Sequence, residues 1–320
     1  MDKASLIEKA VGRLTEGGTP ASTQPDQAAA PRPPREGETA RPNDAAASAG
    51  ALRADGTRRP GQDSDAPADG HDVSLDLQAL RQKGFLTPDG ERTAVAEEFR
   101  MIKRPLLANA FGKSAALVES GNLIMVTSAR AGEGKTFTAV NLAMSIAMEM
   151  DKTVLLVDAD VARAQVHKIL GAPSGPGLID LLLDDKMDVG DVLLRTSVPK
   201  LRLIPMGRYH PHSTELLASA EMLRLTRELA SRYPDRVVIF DAPPLLVTSE
   251  AVVLAGLMGQ IVFVVQSERT PQGDVKDALE LLDQAKPIGL VLNKIRRGIG
   301  GYGYGAGYGY GYGYGYHPKD

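Results

Sequence analysis

Cysteine is absent from the 320 residues. That removes a disulfide scaffold, a thiolate zinc site and a cysteine nucleophile together, and it fits a reducing compartment. No run of 18 apolar residues occurs, so no segment reads as a membrane-spanning helix. Met1 to Glu16 scatters charges among short apolar steps and does not read as a signal peptide. Neither sign of charge prevails, with 37 basic and 40 acidic side chains and a formal net charge of −3. A strongly basic nucleic-acid binder is excluded by that balance, though a local basic patch is not. What is present, 43% hydrophobic and 24% charged residues, is ordinary for a globular chain. Length alone suggests about two domains as a prior.

The chain divides into four parts. Residues 1–16 pattern as a short amphipathic helix, with Leu6, Ile7, Ala10, Val11 and Leu14 on one face. Residues 17–72 are rich in Ala, Pro, Gly, Asp and Arg, with Leu52 the only large aliphatic residue. Such a segment buries too little apolar area to offset chain entropy and reads as a disordered linker. Residues 73–295 read as the folded unit. Helical patterns at Leu75–Lys83 and Ala94–Phe111 come first. Apolar runs follow at Asn122–Thr127, Thr153–Asp158, Leu201–Pro205, Arg236–Asp241, Gln260–Val265 and Ile288–Asn293. Helical segments lie between them, most clearly Thr136–Met150, Ala220–Arg232 and Gln272–Ala285. Strands this apolar are expected to be buried on both faces, which predicts an α/β fold: a three-layer α/β/α, mainly parallel sheet of the doubly wound kind. Residues 296–320 form a Gly-Tyr tract holding seven of the nine tyrosines: Tyr302, Tyr304, Tyr308, Tyr310, Tyr312, Tyr314 and Tyr316. Glycine at nearly every other position predicts a flexible tail.

The segment Ala129-Arg130-Ala131-Gly132-Glu133-Gly134-Lys135-Thr136 follows a strand and opens a helix. It matches the P-loop pattern except that alanine stands at the first glycine. Its glycines let backbone N–H groups approach phosphates, and the helix N-terminus adds the positive end of a dipole. Lys135 is placed to reach the β and γ phosphates, and Thr136 to give its hydroxyl to Mg²⁺. Val154 to Asp160 sets Asp158 and Asp160 after one buried strand, and Val237 to Asp241 sets Asp241 at the end of another. In such sheets ligands bind beyond the strands' carboxyl ends, where these acids converge with the loop. Asp241 reads as the Walker B acid that holds Mg²⁺ through water. Helix N-capping is the bland alternative for Asp158 and Asp160.

Together these motifs resemble the bacterial tyrosine kinases of polysaccharide-export loci, the P-loop kinases unrelated to the eukaryotic kinase fold. The nearer match is to the autokinases of exosortase-linked exopolysaccharide clusters. The resemblance covers about Leu75 to Asn293 plus the tail. It rests on the loop ending Gly132-Glu133-Gly134-Lys135-Thr136, on Asp158-Ala159-Asp160-Val161-Ala162-Arg163, on Phe240-Asp241-Ala242-Pro243-Pro244, and on the tyrosine cluster. It implies ATP as donor, Mg²⁺ as cofactor and tyrosine as acceptor, with the seven tail tyrosines as phosphoacceptors. It implies nucleotide contacts from Arg130, Ala131, Gly132, Glu133, Gly134, Lys135, Thr136 and Phe137, and a metal shell of Thr136, Asp158 and Asp241. Lys135, Asp158 and Asp160 are the implied catalytic residues. The base is Asp158 or Asp160, with Asp158 preferred and Asp160 supporting, since a tyrosine hydroxyl with a pKa near 10 gains from help in deprotonation.

Glu97-Glu98-Phe99-Arg100-Met101-Ile102-Lys103 resembles the family's E-x-x-R-x-x-R ring contact. Glu97, Arg100 and Lys103 share one helix face, although lysine cannot make arginine's bidentate fork. A solvated charged face is the alternative. The resemblance further implies a homo-oligomeric ring and a separate transmembrane polysaccharide co-polymerase as activator. It also implies a cognate tyrosine phosphatase and a place at the inner face of the cell membrane through the partner. Nucleic acid is not among the expected partners. On family likeness alone, Pro205-Met206-Gly207 borders the site. A tract of about 20 residues reaches ~25 Å on average and ~70 Å fully extended, enough to enter a neighbour's active site.

Two other readings stand beside this one. A deviant-Walker partitioning or positioning ATPase shares the fold, but its signature lysine is replaced here by Arg130, and it lacks a tyrosine tail. A nucleotide-bound scaffold with a sticky Gly-Tyr segment is not an enzyme at all, and the full set Lys135, Thr136, Asp158 and Asp241 speaks against it.

Overall fold

The computed structural model describes residues 72–90, 93–112, 118–233 and 235–296. The expected helix at 1–16, the linker up to residue 71 and the seven tail tyrosines lie outside them. In chain order the elements are β1 (Asp72–Val73), α1 (Leu77–Gln82), α2 (Ala94–Phe111), β2 (Leu123–Ser128), α3 (Lys135–Ala147), β3 (Thr153–Asp158), α4 (Val166–Leu170), α5 (Leu178–Leu183), α6 (Val189–Val192), β4 (Leu194–Thr196), β5 (Leu201–Ile204), α7 (Ser213–Leu217), α8 (Ala220–Arg232), β6 (Arg236–Asp241), α9 (Ser249–Leu257), β7 (Gln260–Gln266), α10 (Gln272–Glu280) and β8 (Ile288–Asn293). Among the described residues no helix is long and apolar enough to cross a membrane.

One eight-stranded sheet runs in the order β1-β4-β5-β3-β6-β2-β7-β8. Every neighbouring pair is parallel except β4 with β5. The central strands are apolar throughout because helices cover both faces. Alternate residues feed two separate cores. Ile124, Val126, Leu156 and Ile239 pack on one side; Met125, Leu155, Val157 and Phe240 pack on the other. The doubly wound α/β expectation is met.

Helix α3 shows why its sequence carries so little charge. Eleven of its thirteen residues are buried, since it lies between the sheet and α2. Each fully buried Leu or Ile there contributes roughly 1.5–3 kcal/mol. Polar ties fix the neighbours: Asn141 Oδ1 accepts from Leu86 N–H at 2.7 Å, and Gln260 Nε2 donates to Leu106 O and Gly121 O. The Phe85 and Phe137 rings pack with centroids 5.1 Å apart.

Several expectations shift. The short β1 and β4 carry too few apolar residues to stand out in the sequence. The helix expected at Leu75–Lys83 is trimmed to α1, and the one expected to reach Ala285 ends at Glu280. Strand β8 is the larger correction. It was expected to be buried on both faces, yet Leu290 is 60% and Leu292 56% exposed. It is the last strand of the sheet, and α10 stops short of it.

Lys103 is the second correction. It does not stand on an open face with Glu97 and Arg100. It is buried, with Nζ donating to Ser145 O at 2.5 Å and pairing with Glu149 at 2.7 Å. The cause is the packing of α2 on α3, which turns that position inward. Glu97 and Arg100 pair with each other on the exposed side.

Candidate active site

Strand β2 ends at Ser128, and the next six residues turn the chain into α3. Gly132 and Gly134 take φ of 85° and 101°, a region closed to most side chains. A Cβ on Gly134 would also collide with the Asn293 amide. No side chain caps the start of α3, so its first N–H groups stay available to an anion. Ala129, where the pattern has glycine, is wholly buried.

The outer flank of this loop is braced by Glu133, expected as a nucleotide contact, and by three residues not expected in the site. Glu133 Oε2 accepts from Arg130 N–H at 2.8 Å, and its other oxygen accepts from the Thr270 hydroxyl. Asn293 Nδ2 donates to Glu133 O at 2.9 Å. Lys294 Nζ donates to Gly132 O at 2.6 Å. Thr270 follows β7, Asn293 ends β8 and Lys294 follows it, so only the strand order brings them to the loop. Their sole signal in the sequence is a place after a strand's carboxyl end.

A cleft of about 330 Å³ opens over the loop. Ala131, Gly132, Gly134, Lys135, Thr136 and Phe137 line it, as expected for six of the eight nucleotide-contact residues. The other two side chains depart. Glu133 is buried as the brace just described. Arg130 points outward to pair with Asp274 on α10. Asp160 and Arg163 line the same cleft, with Phe85, Ile169 and Val247 forming an apolar end. A second recess of about 440 Å³, lined by Gln266, Glu268, Arg269, Lys294 and Arg296, lies beyond β7 and β8. Pro205, Met206 and Gly207 do not line the cleft. They close over α5 instead, where Leu178 and Ile179 N–H groups donate to Pro205 O and Met206 O. Asp180 there accepts from the Arg208 backbone and guanidinium.

The three aspartates occupy distinct environments. Asp158 and Asp241 are register partners on β3 and β6, and both are fully buried. Asp158 accepts from Val166 N–H at 3.0 Å and, at longer range, from Asp160 N–H. Burial first, and the Asp241 charge second, pushes its carboxyl up to about 8. With both oxygens turned to backbone N–H groups, Asp158 holds the chain that follows β3. Its oxygens are thus engaged by the backbone at the position expected to be the preferred base and a metal ligand. Asp160 instead reaches the cleft, with Oδ2 at 3.5 Å from Lys135 Nζ and Oδ1 accepting from Arg163 N–H.

Asp241 has no well-formed hydrogen bond to either oxygen. Burial pushes it up to about 7, opposed by the nearby Thr136 hydroxyl and Lys135 ammonium. A buried carboxylate without partners is costly, and a cation beside the Thr136 hydroxyl would satisfy it. Thr136 and Asp241 therefore fit Mg²⁺. Among the described residues no three His, Asp or Glu side chains group closely enough to hold a metal, so the ion's remaining ligands would be phosphate oxygens and water.

Comparison with known proteins agrees with this fold. The family model described as an AAA domain matches residues 121–286. The tyrosine-protein kinase CpsD of Streptococcus agalactiae is 30% identical over 186 residues, which cover 58% of this chain and 80% of that protein. EpsB of Ralstonia nicotianae is 35% identical over 183 residues. The match takes in 56% of this chain but only 24% of EpsB, so the chain spans about a quarter of that relative's length. Among solved structures, the chimerical protein CapA2B2 superposes with a TM-score of 0.57 at 26% identity, covering 70% of this chain and 93% of that one.

Proposed function

This chain belongs to the P-loop family of bacterial tyrosine kinases, and on that premise we propose that it transfers the γ-phosphoryl group of ATP to tyrosine, its own tail tyrosines first. The observation that carries the reading is the pairing of Lys135 with Asp160 inside the cleft above α3. An attacking hydroxyl needs a proton acceptor, and Asp160 is the acid in the cleft placed to be one; that the attacking group is tyrosine rather than water is supported by the likeness to the tyrosine-protein kinase CpsD.

The α3 N–H groups and Lys135 bind the phosphates, and Lys135 takes up charge that develops on the oxygens in flight. Thr136 and Asp241 would hold Mg²⁺, which would supply positive charge against the phosphates. Arg163, exposed at the cleft wall, is a further cation for those phosphates. The phenol oxygen attacks the γ-phosphorus, the bond to the β,γ-bridging oxygen breaks, and ADP leaves. The phenol proton passes to the Asp160 carboxylate. Phe85, Ile169 and Val247 offer the ring an apolar wall. Asp158 acts on this step only by fixing the chain between β3 and α4.

The open cleft and the length of the Gly-Tyr tract support transfer between subunits. Glu97, exposed on α2, and Arg100, half-buried beside it, are the side chains left for a subunit contact, Lys103 being taken up internally. The regulated process is exopolysaccharide synthesis or export, and a separate membrane-spanning activator holds the enzyme at the membrane's inner face. A mixing experiment tests transfer between chains. Lys135→Met protein, tagged to change its mass, is incubated with unmodified protein and Mg²⁺-ATP. Phosphotyrosine on the tagged chain supports the reading; phosphotyrosine confined to the untagged chain contradicts transfer between subunits.

A further inference from the structure

The two edges of the sheet are protected very differently. One ends in β1, only two residues long, and a short edge gives a foreign strand little to pair with. The other ends in β8, six residues long: Ile288-Gly289-Leu290-Val291-Leu292-Asn293. It carries no charge and no proline, the usual guards of an open edge. The carbonyls of Pro287 and Asn293 accept from Ile261 and Ser267, so the odd-numbered residues turn their backbone groups toward β7. Ile288, Leu290 and Leu292 therefore turn theirs outward. Leu290 and Leu292, 60% and 56% exposed, share the face that carries Phe263 and Val265 on β7.

The chain leaves this edge at Arg296 and continues as the Gly-Tyr tract. From Gly307 to Tyr316 glycine and tyrosine alternate strictly. In an extended strand that alternation sets every tyrosine on one face and every glycine on the other. We propose that the unphosphorylated tail folds back and pairs antiparallel with β8 as a ninth strand, its tyrosines lying over Leu290 and Leu292. The pattern matches the edge residue for residue: tyrosines two apart fall opposite Leu292, Leu290 and Ile288 in hydrogen-bonded pairs.

The tail is the occupant that the molecule itself favours. It begins three residues beyond β8, so its local concentration at the edge is on the order of millimolar. A slip of two residues restores the same pairing, so one shelf stores several tyrosines in turn. Glycine weakens the strand, which keeps the pairing reversible. Each phosphate adds about −1.5 to −2 charge, and such a group does not sit over two leucines. Phosphorylation then releases the tail from the shelf, and the shelf withholds unmodified tyrosines from a neighbouring cleft.

Amide hydrogen exchange on the full unphosphorylated chain, without ATP, tests the pairing independently of any kinase activity. The comparison is a full-length variant with all seven tail tyrosines replaced by serine. The amides of Ile288, Leu290 and Leu292 are expected to exchange at least about tenfold more slowly in the unmodified chain, equally at high and low protein concentration. A Leu290→Lys, Leu292→Lys double variant, at exposed positions that leave the core intact, is expected to speed exchange of the tail's own amides. Equal exchange in the unmodified and serine chains overturns the proposal. Protection that fades on dilution also overturns it, and assigns the edge to a second copy.

Discussion

Lys135 Nζ lies 3.5 Å from Asp160 Oδ2, both side chains almost wholly out of solvent. The ammonium and the carboxylate pair with each other. A phosphate group competes for the ammonium and leaves the carboxylate to face the acceptor. Asp160→Asn is therefore expected to reduce tyrosine phosphorylation by about 10²–10⁴-fold while nucleotide still binds. Lys135→Met is expected to lose both. Phosphotyrosine blotting beside equilibrium binding of a fluorescent ATP analogue separates the two outcomes. An Asp160→Asn protein of normal activity would remove Asp160 as the proton acceptor.

Asp158 is expected to behave otherwise. Its carboxylate accepts from Val166 and Asp160 N–H groups, and leaving a buried donor unpaired costs about 1–3 kcal/mol. Asp158→Ala should lower the melting temperature and the activity together. Asp160→Asn should lower activity with the melting temperature nearly unchanged. Thermal melts of the two variants, followed by near-ultraviolet circular dichroism, make the comparison.

The buried acids give metal-free protein a characteristic pH dependence. Burial holds Asp158 up to about 8 and Asp241 up to about 7, against about 4 in an unfolded chain. The folded form thus keeps protons that the unfolded form releases. That contribution is complete below pH ~4 and is lost as pH rises toward ~8, by at most about 1.4 kcal/mol per pH unit for each proton. Urea melts in chelator between pH 5 and 8.5 should show stability falling with pH. Asp241→Asn should flatten the fall, and Mg²⁺-ATP should oppose it. Stability that rises over this range would contradict the assignment.

Helix α2 separates a structural cation from a surface one. Lys103 is buried against Ser145 O and Glu149, and removing one partner of a buried pair costs roughly 3–5 kcal/mol. Glu149 keeps some solvent contact, so Lys103→Ala should fall toward the lower end. Arg100→Ala, at an exposed pair, should leave the melting temperature unchanged. Its effect belongs in sedimentation velocity at high protein concentration, where a smaller oligomer is expected.

Much of this fold was legible in the sequence because the central strands are apolar without interruption. The runs at Thr153–Asp158 and Arg236–Asp241 are strands β3 and β6 to the residue. The loop from Gly132 to Thr136 was readable because each residue type answers to one demand of a phosphate. Asp158 and Asp160 were not separable, since both follow the same strand and only the bend after it decides which one faces the cleft. Lys103 read as an oligomer contact because helical spacing cannot reveal a second helix packed over it. Glu133 read as a nucleotide contact, and Thr270, Asn293 and Lys294 went unread, because three strand ends must meet before the four form a brace. The apolar β8 read as an inner strand because composition does not report position in a sheet.

The central claim is transfer of phosphate to tail tyrosines by the Lys135–Asp160 cleft. Phosphosite mass spectrometry after incubation with Mg²⁺-ATP tests it most directly, with Lys135→Met in parallel and with the cytoplasmic segment of a candidate activator present and absent. Phosphate on tyrosines between Tyr302 and Tyr316, missing from the Lys135→Met protein, is the predicted result. ATP hydrolysis with no phosphotyrosine in either condition would contradict it and point to an ATPase of the positioning type.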